Sequence, residues 1–257
     1  MSGVSQFEKM NPLDLITDTY DRQARLYPAL LLVAPLVLTV VALFSAQLSF
    51  LQELGAYFLG FGGAFLLTEL ARDAGKKRES FLFARWGGVP SVTIFRHRDL
   101  RLDALTKSRY HKSLAQLVDG TRAPTIQEEA ADPTAADAVY TAWSNYLRVK
   151  ARDDPKNFPQ VFKENVSFGY RRNVWGLRRI GITVALLSVL GCGGQLYLVR
   201  HTTGALDVAV AGAGMAAAIF TLLWLLRFTA DWVRVPGDAY AQRLAESVDV
   251  LAREARG

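Results

Sequence analysis

The chain has 257 residues, 51% of them hydrophobic and 21% charged, with a net charge of +6 at neutral pH and a mean hydropathy of +0.13. A single cysteine, Cys192, excludes a disulfide scaffold, and the apolar content excludes an acidic disordered chain. Positive hydropathy and abundant charge coexist because they are segregated. Charge-free runs occupy 26–52, 54–68, 180–199 and 208–226, whereas 72–179 holds 21 Lys and Arg against 12 Asp and Glu.

In chain order, Asn11 caps and Pro12 opens a predicted helix whose Leu13, Ile16 and Tyr20 share a face. This segment, 1–25, is read as a cytosolic helix rather than a signal peptide, because acids are mixed with bases before the first apolar run. About 20 apolar residues cross a hydrocarbon core of roughly 30 Å. The run from Leu26 to Gln52 is long enough and carries Pro28 and Pro35, the second of which is expected to bend or loosen the helix. The next run reaches full length only if Glu53 and Glu69 sit at opposite interfaces, giving an effective span from Leu51 to Ala71. Residues 26–71 therefore read as one transmembrane hairpin, and 180–227 as a second. The expected fold is an all-α membrane protein with four spans and a mostly helical cytosolic domain, 72–179, inserted between spans two and three.

Lys and Arg fix the expected orientation. The first hairpin turn has none and the second has only Arg200, while Lys76, Lys77, Arg78, Arg171, Arg172, Arg178 and Arg179 flank the middle segment at headgroup level. Positive charge stays inside, so both termini and 72–179 are expected in the cytoplasm, with the bilayer of a bacterial inner membrane as the first partner.

No ionisable residue lies deep inside a span, which argues against a coupled transporter. Small residues do. Gly60, Gly62 and Gly63 in span two, Gly191, Gly193 and Gly194 in span three, and Gly212, Gly214 and Ala218 in span four are candidates for close helix packing. They serve either packing within one subunit or a homo-oligomer whose shared axis becomes a pore, since four helices alone enclose no lumen. The span-three cluster is also a candidate flexible point.

Within the middle segment, span two is expected to continue toward Phe83 before Gly87-Gly88 stops it. Pro90–His97 reads as a short strand, 102–118 as a helix, and Thr125 with Glu128 as a capping box. Asp132-Pro133 opens a helix with Ala136, Val139, Tyr140, Trp143, Tyr146 and Leu147 on one face, and 158–175 a helix leading into span three. In the tail, 228–257, an amphipathic helix opens at Asp238 and presents Tyr240, Leu244, Val248 and Leu251 to that domain or to a partner helix.

Catalytic signatures are not found. The run from His97 to Leu100 matches the kinase catalytic-loop tetrapeptide, but Ala104 stands where an Asn is required, and no glycine-rich loop precedes it. Gly75-Lys76 lacks the upstream glycine and the following Ser/Thr of a phosphate loop. His97 and His111 lack further ligands at metal spacing, Asn165-Val166-Ser167 is a glycosylation sequon on the wrong side of the membrane, and Cys192 has no neighbouring base. No catalytic residue, cofactor or metal is expected. What remains is basic density: Arg96, His97, Arg98, Arg101, Lys107, Arg109, His111 and Lys112 within 17 residues. It suits a solvated face near anionic lipid, a pocket for an anionic small molecule such as a nucleotide messenger, or nucleic-acid contact, which no recognised module supports.

The phrases RDAGKKRE, RWGGVPS, FRHRD, SRYHKSL, APTIQEE and ENVSFGYRRNVWGLRRIG resemble a family of uncharacterised bacterial membrane proteins with the same two-plus-two hairpin layout. The likeness covers most of the chain and brings no activity with it. The layout is also similar to multi-span effectors of anti-phage defence, in which a cytosolic sensor is joined to a membrane-disrupting part. The expected function is therefore a membrane effector that senses an anionic ligand or partner and oligomerises. The alternative is a non-catalytic scaffold that recruits a cytosolic protein.

Overall fold

The computed structural model describes residues 19–60 and 62–256, and every regular element among them is helical. A π turn, Arg22–Leu26, leads into α1, Tyr27–Leu43, and a 3-10 turn into α2, Leu48–Gly60. There follow α3 (Gly63–Lys76), α4 (Glu79–Arg85), α5 (Pro90–Thr93), α6 (Ala104–Leu117), α7 (Ile126–Ala131) and α8 (Pro133–Asp153). The last three helices are α9 (Pro159–Thr203), α10 (Val208–Leu222), which ends in a second π turn at Leu223–Arg227, and α11 (Ala230–Glu254). The expected helix from Asn11 lies almost entirely outside the described residues. Two compact units result: one of residues up to Arg78 with Gly169–Trp232, the other of Glu79–Phe168 with Val233 onward.

The first unit is apolar. α1 and α9 run parallel, meeting at one end where Asn173 Nδ2 donates to Ala24 O at 2.7 Å and at the other where Thr39 lies 3.6 Å from Cys192. α10 runs back, with Val210 and Ala213 packed at Cys192 and the Trp224 ring seated over Gly181. α3 crosses α9 so closely that a Cβ on Gly176 would lie 2.5 Å from the Ala74 carbonyl and the Gly75 nitrogen.

Prolines create a further need that α9 meets. Pro28 has no N–H for the Ala24 carbonyl four residues earlier, and Asn173 supplies the donor instead. Pro236 likewise frees the carbonyl of Trp232, to which Arg171 Nη1 donates at 3.0 Å. Arg178 donates at 2.8 Å to both Trp224 O and Leu225 O, where the second π turn ends.

Three helical stretches are long and apolar enough to cross a membrane: Thr19–Leu43, Pro159–Thr203 and Val208–Arg227. The expected second span is not one straight helix. α2 and the helical stretch after Gly63 meet at 67°, and Gly62, at φ 81°, turns the backbone between them. Among the described residues there are thus three such helices, or four if the bent pair counts as one span. The glycines of the third span do not interrupt it: α9 runs through Gly191–Gly194 as one helix of 45 residues.

The second unit packs Phe95, Tyr110, Leu114, Tyr140, Trp143 and Leu147 against Leu244, Ala245 and Val248 of α11, all almost fully buried. Caps set its helices. Thr125 and Glu128 form the full capping box of α7, Asp132 accepts from Thr134 and Ala135 at the start of α8, and Asp103 accepts from Thr106 at α6. Pro90–His97 is not a strand. Val89 is extended, and Pro90 at the first helical position starts the single turn α5, with Val92, Thr93, Ile94 and Phe95 buried. β-Branched residues there serve the core, and without a partner strand the extended form would leave the backbone unpaired. The tail helix also opens earlier than Asp238, at Ala230, because the Pro236 gap is bridged by Arg171.

Candidate anion-binding cleft

After α4 the chain turns at Gly87 (φ 79°) and Gly88 (φ 137°) into α5. A Cβ on Gly88 would meet Thr93 Cγ2 at 2.7 Å and Arg96 Nη2 at 3.0 Å, so the turn requires glycine for conformation and for space. Trp86, the two glycines, Pro90, Thr93, Arg96, Arg98, Asp99 and Arg101, with Arg234 and Asp238 from α11, enclose a cleft of about 330 Å³.

Two of its arginines are structural ties. Arg96 grips Asp137 of α8 in a two-point ion pair (Nε–Oδ1 2.8 Å, Nη2–Oδ2 2.6 Å) and donates through Nη1 to Gly87 O. Its pKa is raised above the ordinary arginine value, chiefly by those bonds to Asp137. Arg101 joins three segments, donating to Asp99, to Asp238 Oδ1 at 2.7 Å, to Thr93 Oγ1 at 2.6 Å and to Pro90 O. Burial pushes the Asp99 carboxyl up, yet its bonds from Arg101 outweigh this and leave its pKa below the usual value. Arg234 Nε approaches Asp238 Oδ2 at 3.2 Å. Arg98 is exposed and has no hydrogen-bond or ion-pair partner among the described residues.

The other expected basic residues do not join the cleft. Lys107 is buried, and its ammonium donates to the carbonyls of Arg96 (2.8 Å), His97 and Asp99, pinning the loop that carries Arg98. Burial lowers its pKa, with Asp99 and Glu129 acting against that. His97 bonds through Nε2 to Pro124 O, and its backbone N–H donates to Glu129 Oε2, which also accepts from Tyr140. His111 is buried with Nε2 at 2.8 Å from Phe95 O, and burial depresses its pKa to about 4, so it is neutral at physiological pH and donates to that carbonyl. Arg109 pairs with Asp249 on the surface, and Lys112 is exposed.

Of the residues expected at headgroup level, Lys76, Lys77 and Arg179 are exposed. Arg78 lies over the Trp175 ring, Arg172 is buried beside Asn173, and Arg171 and Arg178 cap carbonyls. Of the small residues, Gly60 ends α2, and Gly63 abuts the Phe58 ring. A Cβ on Gly214 would lie 3.1 Å from Cys192 Cβ, and Ala218 is half-buried. Gly62, Gly191, Gly193, Gly194 and Gly212 have open space where a Cβ would stand. Further close approaches fall at Gly75, Gly176 and Gly181, and the cleft gains Trp86, Arg234 and Asp238. Spacing gave no signal for these, although Gly75, Gly176 and Gly181 do recur beside buried side chains of α3 and α9.

Among the described residues no group of three or more His, Cys, Asp or Glu is placed to hold a metal ion. No protein-family model matches the chain, and no curated protein or solved structure is significantly similar to it.

Proposed function

We propose that the chain is a four-span inner-membrane effector whose cytoplasmic second unit responds to an anionic ligand and whose spans associate to perturb the membrane or open a pore. In this reading the bent pair α2–α3 returns the chain to the side from which α1 leaves, and both termini are cytoplasmic. The end of the first unit where Asn173 meets Ala24 gathers Arg25, Arg72, Arg171, Arg178 and Arg227, in keeping with a cytoplasmic face.

The observation that carries the effector reading is the open glycine surface of the apolar helices: Gly191, Gly193, Gly194 and Gly212 meet nothing within their own chain among the described residues. Such surfaces let backbones of separate subunits approach closely. The cleft supplies the input. Its two carboxylates already accept from Arg101 and Arg234, and His97 and His111 are tied to backbone carbonyls, which favours binding over catalysis there.

Induced expression in a bacterial host, followed by a membrane-potential dye and by growth, tests this. Wild type is expected to depolarise cells and Gly191→Leu/Gly194→Leu to lose the effect. No depolarisation and no growth defect, with or without phage challenge, would refute it. The scaffold reading is favoured by one other observation: Leu100 and Leu105 of the second unit are 92% and 85% exposed, an apolar contact waiting for a protein. A stoichiometric complex lost on Leu100→Ser/Leu105→Ser, with membrane potential intact, would support it.

A further inference from the structure

We infer that the cleft selects an oxyanion of unit charge, a phosphodiester or a carboxylate, over a polyphosphate; the inference rests on the reading of the cleft as an anion site. Eight basic residues in a short stretch suggest a polyanion partner, but within the cleft the ion pairs remove most of the positive charge. Arg96, Arg98, Arg101 and Arg234 line the cleft, and Asp99 and Asp238 line it with them. Asp137, which neutralises Arg96, brings the carboxylates to three against four guanidinium groups. One positive charge is left over. A ligand with three or four negative charges would leave two or three of them unmatched beside the two aspartates, with a desolvation cost that rises with each one.

The unused donors agree with that count. Nε, Nη1 and Nη2 of Arg96 and of Arg101 all make bonds, and Arg234 commits Nε to Asp238. The planar fork of Arg98 has no partner among the described residues and can grip two oxygens of one phosphodiester or carboxylate. Trp86 lines the same cleft, so its indole reports on what enters beside Arg98. A volume of about 330 Å³ has room for such a head group. Such an oxyanion is available from a soluble molecule or from a lipid headgroup. Leu100, between the cleft residues Asp99 and Arg101, offers an apolar rim that suits the second source.

The test uses the full chain in nonionic detergent with 15N-labelled tryptophan, where five indole signals are expected and Trp86→Phe identifies one. The probes are diethyl phosphate, propionate, pyrophosphate and short-chain phosphatidylglycerol at constant ionic strength. Diethyl phosphate or propionate should shift the Trp86 indole saturably, pyrophosphate should bind no tighter, and Arg98→Gln should weaken binding on the order of 10- to 100-fold. Arg98→Lys should retain part of the affinity, which separates lost charge from lost fold. Tighter binding of phosphatidylglycerol, relieved by Leu100→Ser, supports the inference with a lipid as source; equal binding supports it with a soluble one. Pyrophosphate binding tenfold tighter through Arg98 would overturn the unit-charge selection and leave the anion-site reading standing. No Arg98-dependent shift with any probe would overturn both.

Discussion

Mild acid should loosen the second unit through one side chain, His111. The ring is 4% exposed, stacked near Trp143 and Tyr140 at 5.2 and 5.6 Å, and bonded to Phe95 O. Burial holds its pKa near 4, against an ordinary value of 6.5; the bond to Phe95 opposes the shift, and His97 and Lys107 add to it. Because the folded value is the lower one, the unfolded chain takes up the proton first as pH falls. Stability is therefore untouched at pH 7.5, declines below about 6.5, and the loss is complete only below about 4. The full difference corresponds to about 3 kcal/mol, and about 2 kcal/mol of it is already lost at pH 5. The assay is denaturant unfolding of the full chain by tryptophan fluorescence at pH 7.5, 6 and 5, comparing wild type with His111→Gln. Glutamine keeps an N–H for Phe95 O but does not titrate, and the carboxylates common to both chains cancel in the comparison. Wild type should lose about 2 kcal/mol more than the variant between pH 7.5 and 5. Parallel pH profiles, or an NMR titration of His111 centred near 6.5, would refute the reasoning.

Glycine substitutions should separate packing from open surface in the first unit. Gly176→Ala places a methyl group 2.5 Å from the backbone of α3 and should cost about 1–3 kcal/mol, read as a fall in the helical melting temperature in detergent. Gly193→Ala meets nothing within 4 Å of its own chain and, in the dissociated subunit, should be neutral or stabilising by up to about 1 kcal/mol; equal effects of the two there would contradict the helix crossing. Lys107→Met leaves the carbonyls of Arg96, His97 and Asp99 without their shared donor and should destabilise the second unit by about 1–3 kcal/mol in denaturant unfolding at pH 7.5. An unchanged midpoint would mean that the ammonium is not what holds that loop.

Local chemistry was legible in the sequence wherever a residue acts on its own neighbours. Thr125 with Glu128 and Asp132 start helices through bonds within three positions, Pro159 does so through its fixed φ, and periodicity marks the apolar faces. Long-range pairing was not legible. Asp99, two positions from Arg101, is visible in the sequence, but the other acids that claim Arg96, Arg101 and Arg109 stand 41, 137 and 140 positions away, so a row of bases gave no hint that half of its cations are already paired. The arginines beside the apolar runs were hidden in the same way. Arg171 and Arg178 serve carbonyls left open by Pro236 and by a π turn, and neither need shows until the helices are laid side by side. The bend at Gly62 escaped for another reason: glycine is tolerated within apolar helices, and composition alone does not say which one reverses its φ.

The proposed topology requires an even number of crossings, with the basic unit in the cytoplasm. Cysteine accessibility in a Cys192→Ala background tests it, with single cysteines at Gln6, Ser49, Gln160, Thr202 and Ala255 and a membrane-impermeant maleimide applied to spheroplasts. With four crossings, Ser49→Cys and Thr202→Cys are labelled in intact spheroplasts, and Gln6→Cys, Gln160→Cys and Ala255→Cys only after permeabilisation. Labelling of Gln6→Cys and Gln160→Cys from opposite faces would mean three crossings, with the bent pair α2–α3 turning back inside the membrane, and would contradict it.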